Sequence, residues 1–112
     1  MDLSVTIDDT LSPCPTQAAL IWGYELDMSN APAPTFLHTI AHQAREGGAD
    51  FIPPDIRKRV RLMLRHGKYR PSGRSKPASE FLLKAALAGE LNSINPIVDV
   101  NNAVSLESGL PA

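Results

Sequence analysis

Asn95-Pro96-Ile97-Val98-Asp99-Val100-Asn101-Asn102-Ala103-Val104-Ser105-Leu106-Glu107-Ser108-Gly109 admits two readings. Taken alone, Ile97-Val98-Asp99-Val100 resembles a strand. Asn95 followed by Pro96, however, is a helix start: the asparagine side chain accepts from a free backbone N–H, and proline is preset for the first turn. The start signal predicts a helix. On it Ile97, Val100 and Val104 share one face, expected to be buried, while Asp99 and Asn102 share the other.

Three further helices are expected upstream. Thr35 is a plausible N-cap for a helix to about Glu46, closed by Gly47-Gly48, with Phe36, Leu37, Ile40 and Ala44 as its apolar stripe. A second starts near Pro54 and stops at Gly67, with Ile56, Val60, Met63 and Leu64 spaced as a buried face. Pro77 opens a third, capped by Gly89, with Phe81, Leu82, Ala85 and Ala86 inward and Glu80 paired to Lys84 four residues on. Two segments read as strands. Leu3-Ser4-Val5-Thr6-Ile7 alternates apolar and polar, and Ala18-Ala19-Leu20-Ile21-Trp22-Gly23-Tyr24-Glu25-Leu26 suits the centre of a sheet. The expectation at this point is one domain over residues 1–112 that combines three to four helices with these strands.

The chain has 112 residues, 43% hydrophobic, and a net charge of −1 that conceals a segregation. Between Asp55 and Lys76 lie nine basic residues and one acidic one; the rest of the chain carries two basic and eleven acidic. The first window therefore sums to 9 − 1 = +8 and the rest to 2 − 11 = −9. On the second helix Arg57, Lys58, Arg61 and Arg65 cluster opposite the apolar residues, and Lys68, Arg70 and Arg74 follow in a basic loop with Tyr69. A solvated helix face explains such a cluster as readily as a docking face for a polyanion, where phosphate contacts supply much of the affinity.

Other chemistry has little support. No apolar run approaches the ~20 residues of a membrane span. The N-terminal residues lack a signal-peptide pattern, which predicts an intracellular, cytoplasmic protein. Cys14 is the only cysteine and sits between prolines. His38 and His42 have the spacing of two zinc ligands, but Thr39 stands where a zinc hydrolase needs its glutamate, so no metal is expected. Phosphate-binding loops and nucleophile elbows are absent, and no cofactor is expected.

Two motif groups remain. The first is Tyr69-Arg70-Pro71-Ser72 followed by Lys76-Pro77-Ala78-Ser79-Glu80-Phe81-Leu82; a loop of guanidiniums and hydroxyls leads into a helix start, where backbone N–H groups attract anions. The second is Asn95-Pro96-Ile97-Val98-Asp99 with Asn102, then Ser105-Leu106 with Gly109 and Pro111. In this order they resemble the B-three/B-four domain of the phenylalanyl-tRNA synthetase beta subunit, most of all the free-standing proteins built from that domain. The likeness runs from about Arg57 to Pro111.

The resemblance implies an α+β fold, an antiparallel or mixed sheet with three to four helices, and aminoacyl-tRNA editing: hydrolysis, in trans, of the ester of a tyrosine- or phenylalanine-like residue on a mischarged tRNA. Asn102 matches an editing-pocket asparagine and would orient substrate and a water attacking the ester carbonyl. Asp99 matches the aspartate of the same motif, with a structural role favoured, and Arg70, Ser72 and Glu80 fall in the signature that would contact substrate. Arg57, Lys58, Arg61, Arg65, Lys68 and Arg74 would hold the tRNA backbone. The family pattern continues past Gly-x-Pro into a histidine segment and further strands, so the resemblance implies the N-terminal part of that domain. A partner chain or second copy would then complete the sheet. The competing expectations are a non-catalytic RNA-binding module and an inactive fragment needing a partner.

Overall fold

A computed structural model describes residues 4–11, 25 and 35–111. Four α-helices carry that part of the chain: α1 (Thr35–Gly47), α2 (Pro54–Leu64), α3 (Ala78–Ala88) and α4 (Pro96–Ser108). Short 3-10 turns occur at Asp9–Leu11, Gly48–Asp50 and Gly73–Ser75.

Helices α1, α3 and α4 pack against one another pairwise. Each contributes an inward row at i, i+4, i+7: Leu37, Ala41 and Ala44 on α1, Ser79, Leu83 and Ala86 on α3, and Asp99, Ala103 and Leu106 on α4. These rows are rich in small residues, which lets the axes approach closely. Ile40 and Ile52 complete the core, and Phe51, Ile56, Leu82 and Leu91 pack against its edge. By contrast, α2 sits at the periphery. Its one fully buried residue is Val60, and it makes fewer close approaches to the other helices than they make to each other.

Helix ends follow the local chemistry. Asn95 Oδ1 accepts from Val98 N at 2.9 Å, so α4 starts where the Asn-Pro signal places it. Gly89 and Gly109 end α3 and α4 in the left-handed conformation, at φ 73° and 75°. Ser79 Oγ donates to the Gly109 carbonyl at 3.1 Å and Ser105 Oγ to that of Leu110 at 2.7 Å, latching the end of α4 onto α3 and its own last turn.

The fold class differs from the expectation. Among the described residues the structure is helical, with no strand, so the α+β fold with an antiparallel or mixed sheet is overturned. Residues 4–7 of the first expected strand are neither strand nor helix, and Val5 and Ile7 are exposed. Alternation predicts a strand only where a neighbour can accept its backbone hydrogen bonds, and among the described residues no strand pairs with this segment. The second expected strand, residues 18–26, lies outside the described residues except for Glu25.

Three helix faces also differ from the expectation. On α4 Ile97, Val100 and Val104 are roughly half exposed, while Asp99, Ala103 and Leu106 face inward. Asp99 can be inside because its carboxylate accepts from Ser93 Oγ and from the Ile94 amide, the latter at 2.8 Å. On α3 Phe81 points outward, and Leu83 takes the core position. On α2 Met63 is exposed, with Val60 buried and Ile56 and Leu64 half-buried.

Candidate nucleic-acid interface

Proline dictates where α2 begins. Pro53, with ψ 138°, directs the chain into Pro54 at the first turn, and Asp55 follows at the N-terminal end. From there the 3.6-residue period sets Arg57, Arg61 and Arg65 along one line, with Lys58 beside them. These four cations, Pro54 and Glu80 of α3 line an open groove of about 400 Å³. A second groove of about 250 Å³ adjoins it, where Arg57, Arg61 and Glu80 meet Lys76, Phe81 and Lys84.

The carboxylate common to both grooves is neutralised. Arg61 Nε donates to Glu80 Oε1 at 2.8 Å and a terminal guanidinium nitrogen donates to Oε2 at 2.6 Å. This two-pronged contact, in which Glu80 is 12% and Arg61 34% exposed, is the charge-assisted geometry that Arg favours with carboxylates. The Arg61 hydrogen bonds hold the Glu80 carboxyl below its usual range; Arg57 and Lys76 act the same way through space. The same contact raises Arg61 above its ordinary value. With Arg61 so engaged, Lys58, Arg65, Lys76 and Lys84 make no ion pair among the described residues, and Arg57 has only a long 3.7 Å contact with the exposed Asp50. The two grooves are therefore net positive.

The expected site residues separate into three places. Arg57, Lys58, Arg61 and Arg65 come together in the first groove, and Glu80 joins them as the partner of Arg61. Glu80 thus pairs with Arg61 instead of Lys84, because a bidentate guanidinium outcompetes a flexible ammonium on the same helix. Lys68, Arg70, Ser72 and Arg74 are exposed on the loop from α2 to α3, outside both grooves. That loop is shaped by Tyr69, whose hydroxyl donates to the Ser75 carbonyl at 2.7 Å, and by buried Pro71. Asp99 and Asn102 lie on α4. Asp99 is buried and holds the turn before α4; Ile94 N and the Ser93 hydroxyl keep its carboxyl below the usual range. Asn102 is half-buried and lines neither groove.

Lys76, Phe81 and Lys84 were absent from the expected site. Lys76 belongs to the basic run, but the sequence spacing pairs Lys84 with Glu80 and turns Phe81 toward the core. The signal available for Phe81 is its position between two lysines, at 76 and 84, on a helix whose inward row is complete without it.

His38 and His42 are exposed on α1, with His42 Nε2 3.2 Å from Glu46. Among the described residues no three His, Cys, Asp or Glu side chains gather as a metal site, and no helix is long and apolar enough to cross a membrane. No family model, curated protein or solved structure matches the chain.

Proposed function

We propose that the chain binds tRNA through the α2–α3 face, as an editing module that acts in trans on aminoacyl-tRNA. The observation that carries this reading is the pair of grooves in which Lys58, Arg65, Lys76 and Lys84, without ion pairs among the described residues, surround a carboxylate already neutralised by Arg61. Phosphates are the complementary ligand, since each one seated releases condensed counterions. The resemblance of the motif around Asn102 to an editing pocket supports an ester as the reacting group, and a cytoplasmic setting goes with a tRNA partner.

Binding of uncharged and mischarged tRNA, followed against salt concentration, tests the RNA part. Replacing Arg57, Lys58 and Arg65 together with Gln makes the log–log salt slope shallower by about 2 to 3, at roughly 0.7–0.9 per phosphate contact. An unchanged slope would place the RNA elsewhere. For the hydrolytic part, Asn102→Ala abolishes deacylation and spares binding.

A non-catalytic RNA-binding module is the second reading, favoured by the position of Asn102 on α4, outside both basic grooves. It is the correct one if tRNA binds while the ester survives in wild-type protein.

A further inference from the structure

We infer that the groove between Phe81 and the flanking cations Arg57, Lys76 and Lys84 seats an unpaired nucleotide of single-stranded RNA, with the base stacked on the Phe81 ring. This rests on the RNA-binding reading above and narrows it to one class of nucleic acid.

Phe81 is 45% exposed although the neighbouring α3 positions Leu83 and Ala86 are buried. Leaving a phenyl ring in water forgoes burial energy that a core position would have gained. The ring shares its groove with Arg57, Arg61, Lys76, Lys84 and Glu80. Arg57 and Lys76 line this groove together with Glu80 and its partner Arg61. Such a wall of cations does not suit an apolar protein partner, because the cores of protein interfaces are depleted of lysine.

An aromatic face between cations matches a nucleotide, which offers a flat ring and a phosphate within one covalent unit. Duplex RNA hides its base faces in the stack and presents phosphates and 2′-hydroxyls, so Phe81 would gain nothing from it. A single strand presents both groups. Glu80 does not repel the phosphate strongly, because Arg61 occupies both its oxygens.

The test compares an unstructured ten-nucleotide RNA with a duplex of the same length, each fluorescently labelled, on the full 112-residue chain. Single-strand affinity exceeds duplex affinity in the wild type. Phe81→Ala weakens single-strand binding by about 5- to 150-fold, the range for one stacked base, with the salt slope unchanged. Lys76→Gln with Lys84→Gln makes that slope shallower. Phe81→Trp retains affinity, and its emission above the Trp22 background is quenched on binding; this second variant decides the matter if Phe81→Ala does not fold. Equal affinities for both RNAs with no effect of Phe81→Ala, or no quenching in Phe81→Trp, overturn the inference and leave the RNA-binding reading standing. If wild-type protein binds neither RNA, nor tRNA, both fall.

Discussion

Arg61 on α2 and Glu80 on α3 are joined through two hydrogen bonds across 19 residues of sequence. This contact bridges the peripheral helix to the packed body. A double-mutant cycle with Arg61→Ala and Glu80→Ala should give a coupling of about 1–2 kcal/mol, below the upper range for charged hydrogen bonds because water screens the guanidinium. A coupling near zero would mean that α2 is held by its apolar residues alone.

Acid should destabilise the protein through two groups. The carboxyls of Glu80 and Asp99 both lie below their ordinary values of 4.5 and 3.8, because hydrogen bonds from Arg61 and from Ile94 and Ser93 favour the charged forms. Their contribution is therefore complete above the unfolded-state values and is lost as pH falls through the folded ones. Thermal melts should be level above about pH 5.5 and decline progressively below about pH 5 as the unfolded chain takes up protons. In a protein carrying Glu80→Gln and Asp99→Asn, the melting temperature is lower near neutrality and its acid decline shallower. An unaltered decline would assign it to other carboxylates.

Gly109 and Gly89 share a left-handed backbone but not their surroundings. A Cβ on Gly109 would lie 2.8 Å from Ile52 Cγ2 and 3.0 Å from Ile56 Cγ2, whereas one on Gly89 meets nothing within 4 Å. Gly89→Ala should cost about 1 kcal/mol from backbone strain. Gly109→Ala should cost about 2–4 kcal/mol, since overpacking against the core adds to that strain. Equal losses in urea melts would show that the isoleucines move aside freely.

Leu106 and Val100 test the reassigned face of α4. Leu106→Ala removes a fully buried side chain and should cost about 2–5 kcal/mol. Val100→Ala should change stability by no more than about 0.5 kcal/mol, as at an ordinary surface position. The reverse order would restore the face suggested by the apolar pattern.

Helix existence was legible because it depends on adjacent residues. Asn95-Pro96 sets the start of α4, Gly89 and Gly109 set two stops, and Pro54 sets the start of α2. Which way each helix faces was less legible. Hydrophobicity places Ile97, Val100 and Val104 inside, but the buried row is Asp99, Ala103 and Leu106, and Asp99 is admitted because Ser93 and Ile94 satisfy it. Residues 4–7, the described part of the first expected strand, depart for a related reason: alternation does not supply a neighbour. Clustering of Arg57, Lys58, Arg61 and Arg65 followed from helical period alone. That Glu80 would join them, 19 residues from Arg61, depended on how α2 and α3 meet.

The peripheral attachment of α2 makes the molecule resemble a caliper. One jaw, α2, carries Arg57, Lys58, Arg61 and Arg65; the other, α3, carries the Phe81 ring and Lys84, and the two are tied by the Arg61–Glu80 contact and the Pro53-Pro54 corner. The distance between a nucleotide's phosphate and its base is limited by covalent bonds, so the proposed RNA ligand would require the jaws to hold a matching gap. Ionic strength would then act twice: salt displaces RNA from the cations and, by screening the contact that sets the gap, also loosens the gauge.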